Sequence, residues 1–171
     1  MADRVNSLWR FSLEVYRRQG VESLCIHLQD SQGDDVNLLL LCCWAGVQGR
    51  ELSRDYFDAL RADANLRQWR AHCIEPLRRL RREMKTLSLE GAGSLRADVK
   101  SLELQAEKLQ QDYLLKSVSK LPAAPGGGNP RLLVNNLRNY RTALGGVALE
   151  QAEVRIFLAA AYPDLSSEEL A

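Results

Sequence analysis

The chain carries its most apolar stretch at residues 35–47, which read DVNLLLLCCWAGV. Asp34 or Asp35 can cap a helix there, and the apolar run from Val36 to Val47 is interrupted at Asn37. About a dozen residues are too few to cross a bilayer but enough for a core helix. Because the run is apolar on nearly every side, we expect a central helix that the other helices enclose.

Apolar residues at spacings of three and four recur along the rest of the chain, whereas sustained alternation is absent. This pattern predicts an all-α fold, with residues 1–171 forming a single-domain bundle of seven to eight helices. Seven helices are predicted beside the central one. Three have both ends assigned: Ser7 to about Arg18, Val21 to about Ser31, and Leu149 to Tyr162. The other four are assigned by their starts: one begins at Ser53, one is capped by Asn65, one follows the reversal at 88–94, and one begins at Pro130 after its cap Asn129.

The bundle is expected to include a long antiparallel hairpin on either side of residues 88–94. Each arm has a regular apolar stripe, and we expect the two stripes to face each other. Pro76 lies within the first arm, where a regular helix does not accommodate it, so a kink or a helix boundary is expected near His72–Glu75. The stripes are Leu66, Trp69, Cys73, Leu77, Leu80, Met84 and Leu87, and Leu95, Val99, Leu102, Ala106, Leu109 and Tyr113.

Two segments are predicted to be less ordered. Residues 121–130 read LPAAPGGGNP, and their proline and glycine content is typical of a mobile connection. Residues 164–171 follow Pro163 and are expected to be a frayed tail. Neither segment divides the chain into separate domains.

The positive charge of the chain is concentrated in one segment. The net charge is +1, but residues 66–88 carry seven basic and two acidic side chains. Two interpretations remain open: a solvated face neutralised by acids such as Asp98, Glu103 and Glu107, or a surface that docks an acidic partner protein or nucleic-acid backbone. The candidate partner-binding residues on this basic face are Arg67, Arg70, Arg78, Arg81, Arg82 and Lys85.

Known catalytic and metal-binding patterns are missing from the sequence. His27 and His72 lie on different predicted helices without a metal-binding spacing, and Gly126–Gly128 lack the Lys and Ser or Thr of a phosphate loop. We therefore assign no catalytic residue, no metal and no cofactor. The four cysteines form no Cys-x-x-Cys pair, and with no export signal we expect reduced thiols and a cytoplasmic protein.

A second candidate site lies among the first three helices. Asn37 precedes four leucines, and its amide must be hydrogen-bonded in the interior. It either ties two helices together or orients a ligand in a pocket. The candidate pocket residues are Trp9, Tyr16, Gln29, Asp30, Asn37 and Trp44.

The same N-terminal region resembles a known protein family. The shared residues are Leu8-Trp9-Arg10-Phe11, Tyr16, Gly20-Val21, Leu28-Gln29-Asp30, Gly33, Asp35–Leu40 and Trp44. They are similar to a family of small proteobacterial proteins described only as a domain of unknown function, strongly over residues 7–48 and more weakly beyond. The resemblance implies a helical bacterial cytosolic protein and supplies no activity.

Together these patterns favour a non-enzymatic interaction or regulatory protein that meets a protein partner through the basic face. The alternative is a small-ligand-binding protein or an unrecognised enzyme with a pocket among the N-terminal helices. Nucleic-acid binding is a weaker alternative, because the total charge is near neutral. No membrane association is expected, and the oligomeric state stays open.

Overall fold

The computed structural model describes residues 7–166, which fold into helices without a strand. A π turn at Arg70–Ile74 joins the fifth and sixth helices without a break, so nine α-helical segments form eight rods. This confirms the predicted all-α bundle. The helices are α1 (Ser7–Tyr16), α2 (Val21–Gln32), α3 (Val36–Val47), α4 (Arg54–Ala62), α5 (Ala64–Trp69), α6 (Glu75–Glu83), α7 (Ala92–Val118), α8 (Pro130–Leu144) and α9 (Gln151–Ala161). The predicted tail beyond residue 166 lies outside the described residues.

Helix α3 is the centre of the bundle, as its sequence predicts. The Asp35 side chain caps it by accepting from the Asn37 N–H at 2.9 Å, and residues 39–46 are all buried. Around it pack α1, α2, α7, α8 and α9. Helix α9 is held in part by Arg18, which donates from Nη1 to the Ala160 carbonyl at 2.7 Å.

The closest helix contact is between α3 and α8. A Cβ atom on Gly46 would lie 2.7 Å from the Leu133 backbone, so only glycine allows this approach. Asn136 of α8 is fully buried and accepts from the Leu52 N–H at 2.7 Å. Its own amide donates to the Arg50 carbonyl at 3.0 Å, which satisfies backbone groups where the chain leaves α3.

Residues 121–130 pass beside this same end of α3. The Ala124 N–H donates to the Gly49 carbonyl at 2.7 Å, and Arg50 donates to the Leu121 carbonyl. A Cβ atom on Gly128 would lie 1.9 Å from the Val47 carbonyl oxygen. Glycine at position 128 therefore allows the two backbone segments to pack closely. The mobility of residues 121–130 stays a prediction.

Most helix boundaries agree with the predicted capping residues. Ser53 caps α4, and Asn129 caps α8 with Pro130 in the first position. The prediction that Asn65 caps α5 is wrong, because the cap is Asp63. Its carboxylate accepts from the N–H groups of both Asn65 and Leu66, and the helix consequently begins at Ala64.

The break predicted near Pro76 is a π turn. The Glu75 N–H donates to the Arg70 carbonyl, five residues back rather than four. This wider turn precedes Pro76, whose ring would clash with the carbonyl four residues back in a regular helix. The chain therefore continues from α5 into α6 without leaving the helix, and the irregularity near His72–Glu75, predicted as a kink or a boundary, is this π turn at Arg70–Ile74.

Candidate functional site

The predicted antiparallel hairpin consists of the α5–α6 rod and α7. The Trp69 Nε1 donates to the Ala106 carbonyl at 3.0 Å, and the Arg96 Nε donates to the Arg81 carbonyl at 3.1 Å. Trp69 thus lies beside Ala106 and Arg81 beside Arg96, so the two arms run in opposite directions.

A cluster of charged side chains bridges the two arms. Glu103 is buried and accepts from Arg78 Nε at 3.0 Å and from Arg81 Nη2 at 3.2 Å. Arg78 also donates from Nη2 to Glu107 at 2.7 Å. Next to this cluster, Arg82 reaches α2 and pairs with Asp30 at 2.6 Å. The charged side of the hairpin therefore faces the body of the bundle.

Burial and ion pairing act in opposite directions on this cluster. Burial raises the pKa of Glu103, but hydrogen bonds from Arg81 and Arg78 outweigh it, so the pKa of that carboxyl lies below its ordinary value. For Glu107, burial dominates over its contact with Arg78 and the pKa is raised. The hydrogen bond from Arg81 to Glu103 raises the pKa of Arg81. Glu103 is thus the carboxylate that stabilises the cluster in its charged form.

Most of the predicted basic face is paired within the chain. Arg78, Arg81 and Arg82 bind the acids described above, and Arg70 pairs with Asp35 at 3.0 Å and Glu75 at 2.8 Å. Arg67 and Lys85 are exposed. Of the acids named from sequence as neutralising partners, Glu103 and Glu107 bind arginines, whereas Asp98 is exposed. An acidic partner would have to displace these internal acids.

The prediction that the two apolar stripes face each other is wrong at alternate positions. Val99, Ala106 and Met84 are buried, but the leucines between them face solvent. The exposed fractions are 45% for Leu80, 60% for Leu87, 58% for Leu95, 52% for Leu102 and 56% for Leu109. We call these five residues the leucine face. On α7 its members are seven residues apart, the spacing of one position in a coiled-coil heptad.

A buried polar chain explains why α7 is turned this way. Gln111 accepts from Ser12 Oγ at 3.2 Å and donates to Asn37 at 2.9 Å. Asn37 donates to Gln110 at 2.6 Å, and Gln110 donates to Asp35 at 2.8 Å. Because buried amides must be paired, α7 directs these two glutamines at α3 and turns its leucine positions outward.

The six predicted pocket residues differ in burial and in their hydrogen-bond partners. Trp44 is buried in the core, and Trp9 and Tyr16 are half-buried; burial raises the pKa of Tyr16 to about 12. Gln29 donates to Asp30, which pairs with Arg82. The Asn37 amide is occupied by Gln110 and Gln111. Asn37 therefore ties helices together, the first of the two roles considered from sequence.

A cleft of about 490 Å³ lies beside the buried polar chain, because Asp35 and Gln110 line it, but none of the six predicted pocket residues lines it. Five helices contribute to it, and three arginines stand on its walls: Arg61, Arg67 and Arg70. Sequence reasoning missed Arg61, Asp58 and Tyr140 here. Asp58 and Arg61 lie on α4 and Tyr140 lies on α8, and no local sequence motif indicates that these two helices meet at the cleft.

One buried ion pair was also not foreseen. Arg141 Nη1 lies 2.5 Å from Asp34 Oδ2, with both side chains buried, and Arg141 Nε donates to the Val147 carbonyl at 2.8 Å. Burial raises the pKa of Asp34 despite this pairing. The pair fixes the α2–α3 turn against the end of α8, which forms part of the cleft wall.

Among residues 7–166, no group of three or more His, Cys, Asp or Glu side chains is placed to hold a metal ion. Across the same residues, no helix combines the length and the apolar character that crossing a membrane requires. The four cysteines are all free thiols, three of them buried.

Comparison with known proteins identifies the family. A family model described as "Protein of unknown function (DUF2390)" matches residues 7–114, from α1 through most of α7. This match is more than half of the chain and extends well beyond the motifs at 7–48. No curated protein and no solved structure matches the chain. The chain therefore belongs to the DUF2390 family of proteins of unknown function.

Proposed function

We propose that this protein is a non-enzymatic interaction protein of the cytoplasm that binds an apolar helix of a partner protein on its leucine face. The observation that carries the proposal is the exposure of Leu95, Leu102 and Leu109 in a row along α7. A row of exposed apolar side chains on a folded domain is typical of interaction sites, because exposing such side chains to water is unfavourable.

The spacing of these leucines favours a helix as the occupant. Residues seven apart lie along one line of an α-helix, and a partner helix with the same repeat can insert its apolar side chains between them. Leu80 and Leu87, also seven apart, extend the apolar surface onto the other arm of the hairpin and its end. The partner we expect is an amphipathic helix with a heptad pattern.

Docking of a partner on the basic face has less support than docking on the leucine face. Arg70, Arg78, Arg81 and Arg82 are paired with internal acids, and only exposed cations such as Arg67 and Lys85 remain for an acidic partner. Nucleic-acid binding loses support for the same reason, since backbone contacts need several accessible cations. Placement in the cytoplasm rests on the free thiols, which persist in reducing compartments.

Photo-crosslinking in the cells that naturally express the protein tests the proposal. A benzophenone amino acid replaces Gln105, which is exposed on α7, and in a control replaces Arg155, which is exposed on α9. We expect a discrete adduct with another protein at position 105 only, and its loss when Leu102→Glu and Leu109→Glu are added.

Two results would contradict the proposal. The first is an adduct that persists in the double glutamate variant, because it would not depend on the leucine face. The second is an adduct with twice the mass of the chain as the only product, because the occupant would then be a second copy.

A further inference from the structure

The cleft described above is independent of the leucine face. We infer that it binds a small molecule with an apolar body and an anionic oxygen head, a carboxylate or a phosphate. This site lies outside the proposed docking function, and each can fail without the other.

The floor of the cleft is apolar. One leucine from each of five helices lines it, so the surface exists only in the folded bundle. These residues are Leu38 of α3, Leu60 of α4, Leu66 of α5, Leu114 of α7 and Leu144 of α8. A volume of about 490 Å³ is within the range of small-molecule sites, which are mostly apolar with a few polar groups.

The charges of the walls indicate the head group. Asp35 lines the cleft, but its carboxylate is occupied by the Asn37 N–H, by Gln110 and by Arg70. Asp58 is placed between Arg54 at 3.5 Å and Arg61 at 3.9 Å. Both acids on the walls therefore already face cations of the chain.

Among the residues that line the cleft, the three guanidiniums outnumber the two carboxylates. Arg70 is fixed by Asp35 and Glu75, whose carboxylates outweigh the effect of burial and raise the pKa of Arg70. Arg67 is exposed, lines the cleft one helical turn before Arg70, and can swing toward a bound head group. A planar guanidinium binds a carboxylate or phosphate through two parallel hydrogen bonds, so an oxyanion complements this wall.

Calorimetric titration of the full chain with four eight-carbon probes tests the inference: octanoate, octyl phosphate, octanol and octylamine. We expect the two anions to bind saturably and octanol and octylamine to bind at least about tenfold more weakly. The tighter anion decides between carboxylate and phosphate. Arg67→Gln should weaken anion binding about fivefold, whereas Arg79→Gln, an exposed arginine of α6 outside the cleft, should not change it.

A steric variant separates the cleft from other apolar surface. Ala62 lines the cleft and is exposed, so Ala62→Trp should fill the space and abolish binding while leaving the unfolding temperature unchanged. The double variant Leu102→Gln with Leu109→Gln should bind like the unmodified chain. The inference is overturned if neither anion binds at about 1 mM, if octanol binds as tightly as octanoate, or if Ala62→Trp retains binding.

Discussion

Leu102 and Glu103 are neighbours on α7 whose burial is the reverse of their chemistry: the leucine is 52% exposed and the glutamate 4%. The glutamate is directed at Arg78 and Arg81, and the leucine is directed at solvent. A helix that needed only to cover a core would place them the other way round. The hairpin therefore presents leucine side chains on its outer surface and keeps its charged cluster inside.

The leucine face should contribute little to stability. Replacing Leu102 and Leu109 together by glutamine removes side chains that are already half in water, so the free energy of unfolding should change by no more than about 0.5 kcal/mol per residue. Urea denaturation measures this change. The matched control is Val99→Gln on the same helix, a buried position that should lose about 2 kcal/mol or more. Equal losses at both sites would show that the leucines are packed.

Removing the charge of Glu103 should destabilise the hairpin. Glu103→Gln leaves Arg78 with Glu107 alone and removes the carboxylate that pairs with Arg81, at a cost of about 2 kcal/mol in unfolding free energy. Breaking a fully buried ion pair typically lowers the free energy of unfolding by about 3 kcal/mol. The loss expected here is smaller because Arg81 is partly exposed. Asp98→Asn, at an exposed acid of α7, should change nothing. A stability equal to that of the unmodified chain would refute the cluster.

The same residue predicts a dependence on pH. The folded pKa of Glu103 lies below its unfolded value, so its contribution is complete above that value and is lost as pH falls through the folded pKa. Glu107 acts oppositely, because its raised pKa favours the folded state at low pH and this contribution disappears as pH rises. Between neutral pH and about pH 3, Glu103→Gln should therefore lose less stability than the unmodified chain. A parallel loss in both proteins would contradict this assignment.

Asn37 should be essential to the interior polar chain. Asn37→Leu leaves groups of Gln110 and Gln111 buried without partners, which costs about 1–3 kcal/mol for each unsatisfied group. Asn65→Ala, on the exposed surface of α5, is the control and should stay within about 0.5 kcal/mol. Chemical denaturation of both variants provides the comparison. Equal stability of the two would mean that the amides find other partners.

Two helical glycines should respond oppositely to alanine. Gly46→Ala forces a methyl group against the Leu133 backbone and should lower the free energy of unfolding by about 1–3 kcal/mol or prevent folding. Gly93→Ala, on α7 with open space around it, should raise the free energy of unfolding by about 0.5–1 kcal/mol. Thermal unfolding distinguishes the signs. A stable Gly46→Ala protein would contradict the close crossing of α3 and α8.

The helices could be predicted from sequence because their signals are local. Caps such as Ser53 and Asn129 act within one turn of the chain, and the apolar run at residues 36–47 admits no exposed face. An irregularity in the helix before Pro76 was equally predictable, since the steric conflict of proline is with its own helix.

The orientation of α7 could not be predicted in the same way. Its periodic leucines indicate a packed stripe, yet Leu95, Leu102 and Leu109 are exposed. Gln110 and Gln111 are buried because Asn37 and Ser12, distant in sequence, supply their partners. The cleft has the same origin, because its lining comes from helices separated by up to a hundred residues. Such contacts follow from tertiary packing.

The orientation of the hairpin can be measured leucine by leucine. In a protein with ¹³C-labelled leucine methyl groups, a soluble gadolinium chelate broadens the NMR signals of methyls that reach solvent. We expect strong broadening for Leu95, Leu102 and Leu109, and far weaker broadening for Leu115, a buried leucine of the same helix outside the cleft. Protection of Leu102 and Leu109 equal to that of Leu115 in the dilute purified protein would contradict the outward orientation of the leucine face.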